Sequence, residues 1–245
     1  MKIAIENYFI KKVCVNAFVI IAFSSPLITF SQNSGKIEYD IEVKGLTPEM
    51  EKGAVMLFNS KMTIAFADSN VRQDYKMGEL STKTTIINKT LNRAIFYENS
   101  LNGKIGVYGK PKEISSISYV DTAATVELTN EEKVILGFKC KKALYKFSSG
   151  ETAEYWYTTE LPVKFPDANF FNALIPGVPL EFSTSANGYF MRFKCNNYAS
   201  SIENIAQYFN PVVDRDFKII DFQSYMTIML EQQQSAINEK EPTGK

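Results

Sequence analysis

The chain of 245 residues contains no histidine. That absence excludes Ser-His-Asp and Cys-His nucleophile pairs, histidine-ligated zinc, and an imidazole general base near neutral pH. Cysteine is scarce. Of three, Cys14 stands at the start of the N-terminal apolar run rather than at its end after a Leu-x-x, so it does not resemble a lipidation site. Cys140 and Cys195 remain further on. Two cysteines without histidine make no structural zinc site, and no Cys-x-x-Cys redox pair is present. A glycine-rich phosphate loop is also missing: Gly103-Lys104-Ile105-Gly106 is too short and reads as part of a hairpin. No Asp/Asn/Gly cluster reproduces an EF-hand loop. Finally, no charge sign dominates, with 27 basic and 27 acidic side chains and no basic stripe, so nucleic acid is not expected as a partner. No metal, cofactor or catalytic residue is expected.

What is present begins with a segment of secretory form. Lys2, Lys11 and Lys12 precede an apolar run from Val13 to Phe23, broken only by Asn16, and Thr29-Phe30-Ser31 offers small residues for cleavage before Gln32. The run is short for a bilayer span, which needs about 20 residues. Residues 1–31 are therefore expected to be a signal peptide, with the mature chain exported to the periplasm or beyond and membrane-peripheral at most. Removing them, with three Lys and one Glu, leaves 24 basic and 26 acidic side chains, a net charge of −2.

The rest reads as strands. Ile37, Tyr39, Ile41 and Val43 alternate with Glu38, Asp40, Glu42 and Lys44, a period of two that puts one face on a core. Thr47-Pro48-Glu49 is a helix start, and Met50, Ala54, Leu57 and Phe58 suggest its buried stripe. Short strands follow over 62–67, 71–77, 81–89, 93–98 and 104–108, with Asn102-Gly103 as a hairpin turn. The stretch 111–128 is less regular and polar, a loop or edge strand. Residues 133–147 read as one strand with Gly137 marking a bulge or bend, then come 153–161 and the pair 178–183 and 189–195 through Asn187-Gly188. Phe222, Tyr225, Met226 and Met229 fall on one face of a C-terminal helix. The expected organisation is one β-rich domain over 32–230 and a polar tail over 231–245.

Some residues bear on chemistry. Glu151, Glu154, Glu160 and Glu181 lie near aromatics, including the only tryptophan, Trp156. Paired acids serve glycoside hydrolysis at separations of about 5–9.5 Å, but these alternate with apolar positions and read as outward-facing. Cys140 and Cys195 are candidates for a disulfide, which would close a loop of about 56 residues at on the order of 4 kcal/mol of chain entropy. The alternative is two buried thiols in separate strands. Ile175-Pro176-Gly177-Val178 suggests a type II turn, with Gly177 at φ > 0. That turn would gather Phe170, Phe171, Leu174 and Ile175, either as core under a loop or as the apolar lip of a cleft.

Three blocks carry a family resemblance. Gly137-Phe138-Lys139-Cys140-Lys141-Lys142-Ala143, then Tyr155-Trp156-Tyr157-Thr158-Thr159-Glu160-Leu161-Pro162-Val163, then Ala173-Leu174-Ile175-Pro176-Gly177-Val178-Pro179-Leu180-Glu181 resemble, in order and spacing, the GLPGLI family of secreted Bacteroidota proteins. The opening Gly35-Lys36-Ile37-Glu38-Tyr39 strand agrees as well. The third block departs from the motif at its ends, with Ala173 in place of the first Gly and Pro179 intruding. The resemblance implies a LolA-like architecture: a mainly β (α+β) fold, a curved antiparallel sheet or half-barrel with an early helix and an amphipathic C-terminal helix. With the surplus of Phe and Tyr, it implies an exported non-enzymatic envelope protein holding an apolar or lipid-like ligand in the concave face of its sheet. Trp156, Phe170, Phe171, Leu174 and Ile175 are the expected lining. The alternative is a structural or protein-interaction module of the envelope, without a small-molecule ligand.

Overall fold

The computed structural model describes residues 34–117, 123–161, 174–186 and 188–238. The chain divides into two units, Met1–Ser31 and Gln32–Lys245, and only the second falls among the described residues. The expected signal peptide lies outside them.

Strand alternation builds the sheet. In β1 (Ser34–Gly45), Ile37, Tyr39 and Ile41 are buried on one face while Asp40 and Glu42 stand exposed on the other. Five strands follow as an antiparallel meander: β2 (Ser60–Ala67), β3 (Asn70–Met77), β4 (Ser81–Asn88), β5 (Arg93–Ser100) and β6 (Gly103–Gly109). A second meander comprises β7 (Thr125–Ile135), β8 (Phe138–Lys146), β9 (Thr152–Thr158), β10 (Val178–Ala186) and β11 (Tyr189–Ala199). Pairing of β1 with β11 joins the two, and β12 (Lys218–Asp221) adds a parallel edge beside β6. The result is one curved twelve-stranded sheet in the order β12-β6-β5-β4-β3-β2-β1-β11-β10-β9-β8-β7. The expected mainly β fold is the one observed, with 56% strand among the described residues.

Aromatic contacts reveal how strongly the sheet curls. Tyr75 on β3 and Phe193 on β11 are three strand spacings apart, about 14 Å if the sheet were flat. Their stacked rings are 6.3 Å apart, and the Tyr75 hydroxyl reaches Met191 Sδ at 3.6 Å. Phe138 on β8 and Tyr198 on β11 span the same number of strands with ring centroids 5.4 Å apart. The sheet therefore rolls with this face inside. Phe182 stacks on Phe193 at 4.4 Å and on Tyr155 at 5.3 Å, and meets Tyr39 edge-on at 6.1 Å. Buried Tyr39 donates its hydroxyl to the Pro179 carbonyl at 2.8 Å, which satisfies its polar end.

Three expectations are corrected. Residues 133–147 are a hairpin, β7 turning into β8 at Leu136-Gly137, where φ is +51° and +86°. Two successive positive φ values are what a two-residue type I′ turn requires, so Gly137 serves a turn and not a bulge. Gly177 is not among the residues with positive φ. Glycine stands there because a Cβ would lie 2.3 Å from the Thr158 carbonyl oxygen. Phe58 is 62% exposed, outside any buried stripe. Helix α1 (Pro48–Ala54), capped by Thr47 as expected, tightens into a 3-10 turn over Val55–Leu57, so its helical period ends before Phe58.

The last stretch of the chain covers both faces. Helix α2 (Pro111–Ser115) comes earlier; near the end, α3 (Ile205–Tyr208) leads Phe209 onto Ala65 and Ala67 on the outer face. Asn88 Nδ2 donates to the Phe209 carbonyl at 3.0 Å and holds it there. Edge strand β12 then carries the chain round to the inner face. There α4 (Phe222–Asn238) packs Tyr225, Met226 and Met229 against Ile87, Phe96, Val107 and Ile114. The expected amphipathic helix is thus present and runs on to Asn238.

Candidate functional site

The residues expected to line an apolar cleft divide among different surroundings. Ile175 is buried in the main core, while its neighbour Leu174 is 48% exposed. Phe170 and Phe171 lie outside the described residues. Trp156 sits half-buried at the core margin on β9, paired with Glu181 on one side and Lys142 on the other. Lys133 Nζ lies 4.2 Å from the centre of its ring and Lys142 Nζ 5.8 Å, cation–π distances. Two ammonium groups thus lie against the tryptophan ring. Cys140 and Cys195 are buried free thiols. Burial pushes the Cys195 thiol up to about 11 and raises Cys140 as well, which makes both poor nucleophiles.

The acids that paired-carboxylate chemistry would need are all engaged. Glu181 receives Lys133 at 2.7 Å and the Arg192 guanidinium. Burial works to raise its carboxyl, but the two cations outweigh that and hold it below the ordinary value. Glu154 pairs with Lys142 at 2.8 Å, Glu151 accepts the Ser185 hydroxyl, and Glu160 accepts the Lys139 amide. A carboxyl held ionised between cations is a poor proton donor. Among the described residues no group of three His, Cys, Asp or Glu side chains is placed to hold a metal ion.

The outer face of β3–β5 carries a different feature. Strand pairing aligns Arg72 with Ile86, and Asp74 with Thr84 and then Tyr97, on that face. Arg72 grips Asp74 through Nε (2.8 Å) and a terminal nitrogen (3.1 Å), and Thr84 donates to the same carboxylate at 2.7 Å. Burial opposes the Arg72 charge, but Asp74 more than compensates and raises its pKa. The segment after Phe209 crosses above as a wall. Tyr97 clamps it, donating its hydroxyl to the Val212 carbonyl and accepting the Asp214 amide at 2.8 Å, while Phe217 packs on the Tyr97 ring at 4.7 Å. Between floor and wall is a cleft of about 490 Å³. Thr82, Thr84 and Tyr97 line its floor, and Asn210, Asp214 and Phe217 its wall. A second recess of about 500 Å³ continues towards the hairpin ends, with Ser81, Asn99 and Ser100 in its lining, and Thr82 borders both.

Sequence reasoning passed over this groove. Alternating polar residues on β3 and β4 look like an ordinary solvated face, and their wall lies more than a hundred residues away. Asn210-Pro211, a dipeptide that breaks regular structure, is the one local signal that the chain turns there.

The model of the family described as N-glycanase peptide, N-terminal domain, matches residues 37–225, most of the chain. The chain belongs to this family. The GLPGLI resemblance of the blocks at 137–143, 155–163 and 173–181 is not carried by that match. No curated protein matches the chain. Among solved structures, this N-glycanase N-terminal-domain member is similar to PNGF-II at 16% identity and TM-score 0.47, over 80% of this chain and 32% of that one. A conserved uncharacterized protein of Thermus thermophilus matches at 12% and TM-score 0.41, over 78% and 91% of the two chains. A LolA superfamily protein of Nitrosomonas europaea matches at 10% and TM-score 0.22, over 75% and 92%. The chain spans about a third of the length of the PNGF-II structure it matches.

Proposed function

We propose that this chain is an exported, non-catalytic binding module that takes a polar ligand on the outer face of its sheet. One observation carries the reading: the inner face is occupied by the protein's own rings, while the outer face holds a groove. Tyr39, Tyr155, Phe182 and Phe193 are each less than a tenth exposed; Phe182 stacks on Phe193 and Tyr155 and meets Tyr39 edge-on. An acyl chain there would have to displace them from a close-packed interior, in which even one added methylene is felt. This argues against the apolar or lipid-like ligand expected from the sequence. The family description as an N-terminal domain supports a part that serves chemistry carried elsewhere. The form of residues 1–31 supports export.

Amide-resolved NMR of the mature chain tests this. An envelope extract would be split into water-soluble and lipid fractions and each titrated in. The water-soluble fraction is expected to shift Thr82, Tyr97 and Asp214. Shifts at Tyr155, Phe182 and Phe193 produced by the lipid fraction would overturn the reading.

The alternative of a protein-interaction module has one observation in its favour. Val55, Met56 and Phe58 are 57–62% exposed beside α1, and apolar side chains clustered in this way on a surface mark contact sites.

A further inference from the structure

Resting on the reading of the outer groove as a polar-ligand site, we infer that it binds a small zwitterion, a free α-amino acid with an apolar side chain. Of the residues that line the cleft, Arg72 and Asp214 carry charge, one of each sign. Arg72 stands on the β3 floor and Asp214 in the wall, and they form no ion pair with each other. Both keep hydrogen-bonding capacity. A guanidinium carries five N–H donors. Asp74 takes one from Nε and one from a terminal nitrogen, and the Tyr208 ring lies 4.8 Å from the guanidinium carbon. The donors on the other terminal nitrogen remain for a ligand. Asp214 accepts the Asp216 amide on one carboxylate oxygen and keeps the other.

These charges decide between ligand classes. A simple anion would meet a guanidinium whose charge Asp74 already balances, and Asp214 would repel it. A simple cation would suit Asp214 but leave the spare Arg72 donors unpaired beside a like charge. A molecule that carries both signs answers both groups. Its carboxylate accepts from the planar guanidinium, the geometry for which arginine is suited, and its ammonium donates to the free Asp214 oxygen. Lys104, with its ammonium 5.7 Å from the centre of the Phe217 ring, offsets Asp214 at the rim. The surroundings are then balanced in charge, as the ligand is. Ile86, Val212, Tyr97 and Phe217 make the rest of the lining largely apolar, which suits an apolar substituent on the α-carbon. A cleft of about 490 Å³ is of the size that takes a small ligand.

The test is calorimetry of the mature chain with L-leucine, N-acetyl-L-leucine and L-leucinamide, which in turn keep both charges, lose the ammonium and lose the carboxylate. Leucine is expected to bind saturably with a Kd of about 0.1–1 mM, and each derivative at least about tenfold more weakly. Asp214→Asn, at an exposed position in the wall, keeps an acceptor for the Asp216 amide. It is expected to weaken leucine about tenfold without weakening N-acetyl-leucine, a selective effect that a loss of fold would not give. Three results would overturn the inference and leave the outer groove as a polar-ligand site: no leucine binding at about 10 mM, equal binding of either derivative, or an unchanged Kd in the Asp214 variant. Leucine binding that shifts the amides of Tyr155, Phe182 and Phe193 in place of Thr82, Tyr97 and Asp214 would overturn that reading as well.

Discussion

Glu181 shows how a single side chain here is tied to its surroundings. It lies on β10 with only 17% of its side chain exposed, and Lys133 reaches it from β7, three strands away. Arg192 approaches from β11, and Lys133 covers Trp156 as well. Removing the carboxylate takes from both cations the acceptor they hydrogen-bond. Glu181→Gln is expected to cost about 1–2 kcal/mol at pH 7, read from urea midpoints by circular dichroism. The sign with pH follows from its depressed carboxyl. The folded state holds this proton less tightly than the unfolded chain, where a Glu titrates at about 4.3. The stabilisation is therefore complete above that value and is lost as pH falls through the lower folded value. Wild type and variant should converge in acid; equal stability at pH 7 would contradict the network. None of this was legible in the sequence, where Glu181 looked like one more alternating acid. Pairing across three strands depends on how far the sheet curls.

At the scale of elements, the sequence was most readable where one local rule decides. The alternation of β1, the Thr47 cap and Pro48 start of α1, the hairpin near Asn102-Gly103 (its turn residues are Leu101-Asn102) and the periodic face of α4 were all visible, because each rests on neighbours within a few residues. It misread the 133–147 stretch because Leu136, a residue that disfavours positive φ, occupies the first position of a type I′ turn. Leu136 is half exposed and gives up little burial when replaced. Asn at that position makes Asn-Gly, the preferred pair for the turn, so Leu136→Asn is expected to stabilise by about 0.5–1 kcal/mol, seen as a higher Tm. A lower Tm would mean that the leucine side chain packs against something that supports the hairpin. The short α3 and the wall beyond it carried no such local signal: Phe209 is placed by Ala65 and Ala67, far away in the chain.

For the whole molecule, the sheet's order and roll decide which face does what. The order of the strands follows the chain apart from the β1–β11 junction and β12, so a meander was foreseeable while that junction was not. Curvature brings Tyr75 to Phe193 and Phe138 to Tyr198, so that rings from distant strands pack on the inner face. The same curvature leaves the outer face of β3–β5 to be roofed by 210–217, which creates the groove. The aromatic surplus was legible; whether it lined a cavity or filled one was a matter of strand spacing and curl. Everything said of the two faces depends on an interior that is full. Native mass spectrometry of the mature protein taken from an envelope fraction, before and after organic extraction, tests that most directly. A full interior predicts a bare polypeptide mass, unchanged by extraction. A stoichiometric lipid mass that disappears on extraction would contradict it.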